Sequence, residues 1–185
     1  MTAQAAYLPD GRLHLHHGPI DLVIGAEGPG RGAALAGAEA CFARVLEELV
    51  AELPRLRRPV DAGAPAKGAV ARAMQAATHP FAAETVTPMA AVAGAVADHL
   101  LKAMVQSGGL TRAHVNNGGD VALHLAPGET VTAAMAGIPG GRVRIAAADP
   151  VRGIATSGWR GRSLSLGIAD SVTVLAASAA AADAA

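Results

Sequence analysis

The sequence predicts an α+β domain in which helices cover one face of a mostly antiparallel sheet, and three observations carry that prediction. Two long stretches, Ala33 to Leu53 and Thr87 to Ser107, place apolar residues at helical spacing. Short runs of alternating or β-branched residues are separated by tight-turn signals such as Pro9-Asp10-Gly11, Gly118-Gly119 and Pro127-Gly128. The apolar mass is small: 51% of the 185 residues are hydrophobic but only 2% are aromatic, so Ala and Gly let layers approach closely.

Taken in order, Tyr7-Leu8 and Leu13 to His16 form a first hairpin about the Pro9 to Arg12 turn, and Ile20 to Ile24 a further strand. Gly25 to Gly32, with four glycines, reads as a loop. Ala33 to Leu53 reads as one helix, with Leu35, Phe42, Val45, Leu46 and Leu49 inward and Pro54 ending it. Arg55 to Lys67 is a basic exposed connector, followed by a short helix from Gly68 to Ala77. Thr87 is placed to cap the next helix, Pro88 takes its first position, and Gly108-Gly109 stop it. Gly94 inside it costs about 1 kcal/mol relative to Ala, which close approach of a backbone or a ligand would justify. Strands follow at His114 to Asn117, Val121 to Leu125, Val131 to Ile138, Val143 to Ala147 and Ser171 to Ala176. The Ala-rich end begins a helix and carries no stop signal, so the expectation is one domain over residues 1–185 with its last helix open-ended.

Composition excludes several functions. Fifteen Lys and Arg balance fifteen Asp and Glu, and with a pI near 7.1 no global field draws the chain to nucleic acid or an anionic membrane. The N-terminus has no basic residue before Arg12 and no apolar leader core, and uncharged apolar runs such as Met89 to Ala97 fall short of a membrane span. A lone Cys41 makes no intrachain disulfide, which fits a cytoplasmic setting.

Several motifs are weak on chemical grounds. Gly28-Pro-Gly30-Arg-Gly-Ala33 matches a dinucleotide fingerprint, yet the required acid on a second strand is missing. His14, His16 and His17 on one hairpin do not close a tetrahedral zinc site. Cys41 reads as an inert thiol in an Ala-rich helix, and the Arg55, Arg57, Arg58 and Lys67 cluster as a solvated loop.

Three later segments stand out. Val115-Asn-Asn-Gly-Gly-Asp120 offers backbone access through Gly118 and Gly119 with one fixed carboxylate, Asp120; a tight turn capped by Asn and Asp explains the same spacing. Thr156-Ser157-Gly158 places two hydroxyls beside Trp159, the only Trp, as a ring-bearing phosphate ligand requires. Asp183 in an apolar stretch calls either for a cation or for exposure near the terminus.

In this order, these segments resemble the ApbE family of magnesium-dependent FAD:protein FMN transferases, and more closely its short branch, over Pro88 to the end. Gly94 with Asp98, Asn117-Gly118-Gly119-Asp120, Thr156-Ser157-Gly158 and Ala182-Asp183 carry the likeness. The resemblance implies an FAD-binding α+β fold, with Asp183 as the Mg2+ carboxylate and Gly94, Gly118, Gly119, Asp120, Thr156, Ser157 and Gly158 around the flavin nucleotide. Trp159 is our addition as a ring-stacking residue. Ala93 stands where the family has Lys, and Leu166-Gly-Ile-Ala-Asp170 where it has His-x-x-Asp-Pro. Two functions therefore follow: flavinyl transfer to a Thr of an acceptor flavoprotein, or binding of a flavin, nucleotide or other small molecule without transfer. A purely structural homo-oligomer subunit, with no ligand site at these segments, is the third.

Overall fold

The computed structural model describes residues 2–60, 65–84, 86–135, 138, 140–158 and 168–185. Seven strands form one antiparallel sheet in the order β1-β2-β3-β4-β5-β8-β9, where β1 is Gln4–Tyr7, β2 Leu13–His17, β3 Ile20–Glu27, β4 Arg112–Asn117, β5 Asp120–Leu125, β8 Gly153–Ser157 and β9 Val172–Ala176. A separate two-stranded ribbon pairs β6, Thr130–Ala134, with β7, Arg142–Ala146. Five helices complete it: α1 Arg31–Phe42, α2 Val45–Leu56, α3 Ala69–Thr78, α4 Val92–Gln106 and α5 Ala179–Ala184. The α+β class and the antiparallel sheet are as the sequence predicts.

Alternation sorts the sheet into two faces. Leu13 and Leu15 of β2, Leu22 and Ile24 of β3, Val115 of β4 and Ala122 of β5 join a core with Leu35, Phe42, Met74, Leu100 and Met104 from the helices. Phe42 is fully buried, a contribution of about 2–3 kcal/mol. On the opposite face the ribbon shields a smaller cluster of Leu123, Leu125, Ile145 and Ile154, so toward β5 and β8 the sheet is covered on both sides.

Several boundaries differ from the sequence reading. The stretch from Ala33 to Leu53 is two helices, broken at Ala43-Arg44 without Gly or Pro. Pro54 lies inside α2 rather than ending it; the bond it cannot make would go to the carbonyl of Val50, an exposed residue. The four-glycine loop is shorter than expected, because Gly25 to Glu27 continue β3. Gly28 and Gly30 are pressed against the chain that leaves α4. Gly30 donates to the Gly109 carbonyl at 2.9 Å, and a Cβ on Gly28 would stand 2.8 Å from the Thr111 nitrogen. These glycines serve close backbone approach, so no pyrophosphate cradle opens there. The helix expected from Thr87 starts as a 3-10 turn, Pro88–Ala91, before α4 proper. By length and composition alone Pro88–Gln106 could cross a membrane; here it is the central helix, half buried within the protein. Gly153–Ser157, part of a proposed ligand motif, is a strand.

Candidate functional site

The site forms where α4 begins, β4 turns into β5 and α5 runs past both. Gly94 explains the first contact. A Cβ there would overlap the Ala179 carbonyl and stand 2.7 Å from the Ala180 nitrogen, so only glycine lets α5 lie this close. Gly153 of β8 plays the same part beneath α5, where a Cβ would overlap Ser178 and Ala179. The backbone answer to the Gly94 question is thus the right one.

The two helices then cap one another. Asp98, one turn after Gly94 on the same face of α4, accepts hydrogen bonds from the Ala179 and Ala180 amides at 3.0 and 2.8 Å. Ser178 caps the same end of α5 through the Ala181 amide. In return Asp183, near the end of α5, accepts from the Gly94 amide at 2.8 Å, with the Ala93 amide adding to it. Each carboxylate occupies a helix N-terminus where unpaired N–H groups and the macrodipole favour negative charge. Asp183 therefore has a structural task whatever else it binds.

The β4–β5 connection is a two-residue turn: Asn117 pairs with Asp120, while Gly118 and Gly119 have φ of +67° and +119°. Positive φ at both central residues is the hairpin geometry that glycine adopts without strain. Asn116 Oδ1 accepts from the Gly119 amide at 2.9 Å, and Asn117 donates through Nδ2 to the Ala93 carbonyl at 3.1 Å. That last bond, made by a buried side chain, ties the turn to the first turn of α4. Cβ atoms on Gly118 or Gly119 would meet nothing within 4 Å, so this backbone is approachable.

Asp120 follows the turn on the helix-covered face, in step with Ala122 and His124. Burial pushes its carboxyl up to about 7, and the negative charge of Asp183 adds to the rise. Burial likewise pushes Asp183 up to about 6, against the pull of the Gly94 and Ala93 amides. Asp98 is also raised by burial, with the bonds from Ala180, Ala179 and Ser178 opposing it. Among the described residues no cation and no hydrogen-bond donor stands beside the Asp120 carboxylate, so the pair shares one poorly hydrated corner.

The third motif joins this corner only in part. Pairing of Val121 with Ile154 sets the Asp120 end of β5 beside the Ala155 to Ser157 end of β8. Alternation then divides the hydroxyls: Ser157 shares the Asp120 face, whereas Thr156 is on the ribbon side, with its Oγ1 3.0 Å from that of Thr173. Gly158 meets Asp170 and Ser171 across the β8–β9 hairpin, a Cβ standing 3.2 Å from the Ser171 Cα, so close strand approach accounts for it. Trp159 lies outside the described residues.

The structure thus gathers Gly94, Gly118, Gly119, Asp120 and Asp183, with Ser157 at the rim, and sends Thr156 elsewhere. It adds Asn116 and Asn117, which hold the turn, and Asp98, which holds α5; the Gly94-to-Asp98 spacing of four was the readable signal for Asp98. A groove of about 410 Å3 along α4, lined by Asp98, Leu101, Lys102, Val105, His124 and Arg152, does not reach the aspartate pair. Its Arg152 is already engaged by the Ala147, Asp149 and Val151 carbonyls. Elsewhere, His14 Nε2 is 2.7 Å from Asp21 Oδ1, and burial raises the half-buried Cys41 thiol.

Among the described residues no group of three or more His, Cys, Asp and Glu is placed to hold a metal. Two carboxylates nevertheless suit Mg2+, a hard ion that keeps several waters and takes one or two carboxylates together with substrate phosphates. The Asp183 carboxylate is partly engaged by the Gly94 and Ala93 amides, while both oxygens of Asp120 remain as donors.

Fold and site together define an α+β protein with a glycine-turn and aspartate-pair corner. The chain belongs to the family described as AbpE bacteria, whose model matches residues 5–185. This finding overturns the resemblance to the ApbE flavin transferases: the matching family is a different one, so roles implied by that likeness no longer rest on family membership. No curated protein matches the chain.

Proposed function

We propose that this protein binds a divalent cation, Mg2+ by its chemistry, at Asp120 and Asp183, and with it the phosphates of a nucleotide such as FAD, without transferring any part of it. The observation that carries this reading is the aspartate pair: two carboxyls raised toward neutrality by burial, Asp120 further by the charge of Asp183, beside a turn whose backbone is open. A bound divalent ion supplies the positive charge that the corner lacks. The chain's own contribution is positional: Asn117 holds the turn against α4, Gly118 and Gly119 admit a ligand to the backbone, and the Gly94 amide orients Asp183. Thr156 takes no part in this reading, since its hydroxyl lies on the ribbon side, 3.0 Å from that of Thr173, and binding without transfer asks no more than the pair and the turn supply. The setting that suits such a ligand is the cytoplasm, and neither nucleic acid nor membrane belongs to this reading.

Calorimetric titration with Mg2+, then with FAD in the presence of Mg2+, tests it. The expected result is saturable Mg2+ binding that Asp120→Asn abolishes, with FAD affinity falling at least tenfold when Mg2+ is removed. No Mg2+ binding to the folded protein overturns the proposal. An FMN adduct on an acceptor flavoprotein, detected by mass spectrometry, would instead establish the transferase reading.

A further inference from the structure

We propose that β9 is the contact by which two copies of this chain form a closed dimer, pairing β9 against β9 across a two-fold axis. The strand lies at the edge of the sheet, and among the described residues no strand pairs with its outer side. Edge strands of soluble proteins are normally blunted by Lys, Pro, inward charge or a bulge, because their free N–H and C=O groups template another strand. Here none of these devices is present. From Ser171 to Ala182 there is no charged residue and no Pro, and β9 reads Val-Thr-Val-Leu-Ala.

Three of the seven large exposed apolar side chains among the described residues lie at or near this edge. Val172 is 49% exposed, Leu175 42%, and nearby Ile168 89%. Val172 projects on the helix face and Leu175 on the other, so apolar surface flanks the edge on both sides of the sheet. The strand is also its own complement. An antiparallel pairing centred on Val174 sets Val172 against Ala176 and Thr173 against Leu175, matching apolar or β-branched groups at every position. An uncharged strand on a chain with zero formal charge offers a second copy nothing to repel it. Such a pairing is isologous and closes at two copies, joining the seven-stranded sheets into one of fourteen. The other edge, β1, contains only Gln4 to Tyr7, and pairing it with β9 of a second copy would be heterologous and would not stop at two.

Light scattering coupled to size exclusion, over a hundredfold range of protein concentration, tests the proposal. The expected outcome is a dimer for the native chain and a monomer for Leu175→Lys with an unchanged circular dichroism spectrum. Val172→Glu should do the same, and Tyr7→Lys on β1 should leave the dimer intact. A native chain that stays monomeric at the highest concentration overturns the inference. So does a dimer that survives both β9 substitutions, as does growth beyond two copies that Tyr7→Lys abolishes.

Discussion

Glycine does opposite work in the two halves of the candidate site. At the α4–α5 junction Gly94 and Gly153 have ordinary backbone angles and no room: each is jammed against the start of α5. At the β4–β5 turn Gly118 and Gly119 have unusual backbone angles and unlimited room. The first pair is a packing requirement and the second a conformational one. Only the second leaves backbone within a ligand's reach, so a glycine-rich stretch becomes informative about binding once its crowding is known.

Substitutions can separate the two kinds. Gly94→Ala forces α4 from α5, so the largest loss is expected there, about 3 kcal/mol, with Gly153→Ala close behind. Chemical denaturation of both variants measures it. A loss under about 1 kcal/mol, the level at which Ala's helix preference offsets the crowding, would break the comparison. Asp98→Ala, which strips the cap from α5, should cost about 2 kcal/mol in the same assay. Asp98→Asn, which keeps one acceptor oxygen, should cost less. Gly118→Ala, which meets no neighbour and strains only its own φ, should cost about 1 kcal/mol.

The aspartate pair gives a prediction in pH. The folded carboxyls of Asp120 and Asp183 are raised from 3.8 to about 7 and about 6. Between pH 3.8 and about 7 the folded chain therefore holds protons that the unfolded chain has released. Stability falls as pH rises through that window and levels off above it. Thermal melts in metal-free buffer from pH 4 to 8 should show this decline, and Asp120→Asn should flatten it. Mg2+ should raise the melting temperature more at pH 8 than at pH 5, because only the ionised pair binds it. A melting temperature that climbs steadily across the window would contradict the burial of these carboxyls.

How much of this was legible beforehand depended on the kind of signal. Hairpins were readable because Pro9-Asp10-Gly11 and Gly118-Gly119 are local turn chemistry with a fixed consequence. The break between α1 and α2 was not, since Ala43-Arg44 carries no breaker and the bend comes from packing two helices on one sheet. Strand β8 was not foreseen as a strand, because its Gly153 serves contact with α5, a fact about a residue far along the chain. The sequence singled out Asp120 as a fixed carboxylate and Asp183 as one that needs a reason. That they share one corner, and that Asp98 and Asp183 answer each other's helices, depends on separations of 81 to 89 residues that no window reveals. Family membership shows the same limit: four short motifs in order pointed to a family other than the one that matches residues 5–185.

The reciprocal capping of α4 and α5 has a consequence for the protein during its synthesis. The amides at the start of α4 wait for a carboxylate at residue 183, so the central helix leaves the ribosome with that end unfinished. Until residues 172–184 emerge, the sheet also lacks β9, and Gly94 and Gly153 face the gap that α5 will fill. This corner is thus completed in a single step, when residues 178–183 reach residues 94–98 and both helix ends gain their carboxylates together.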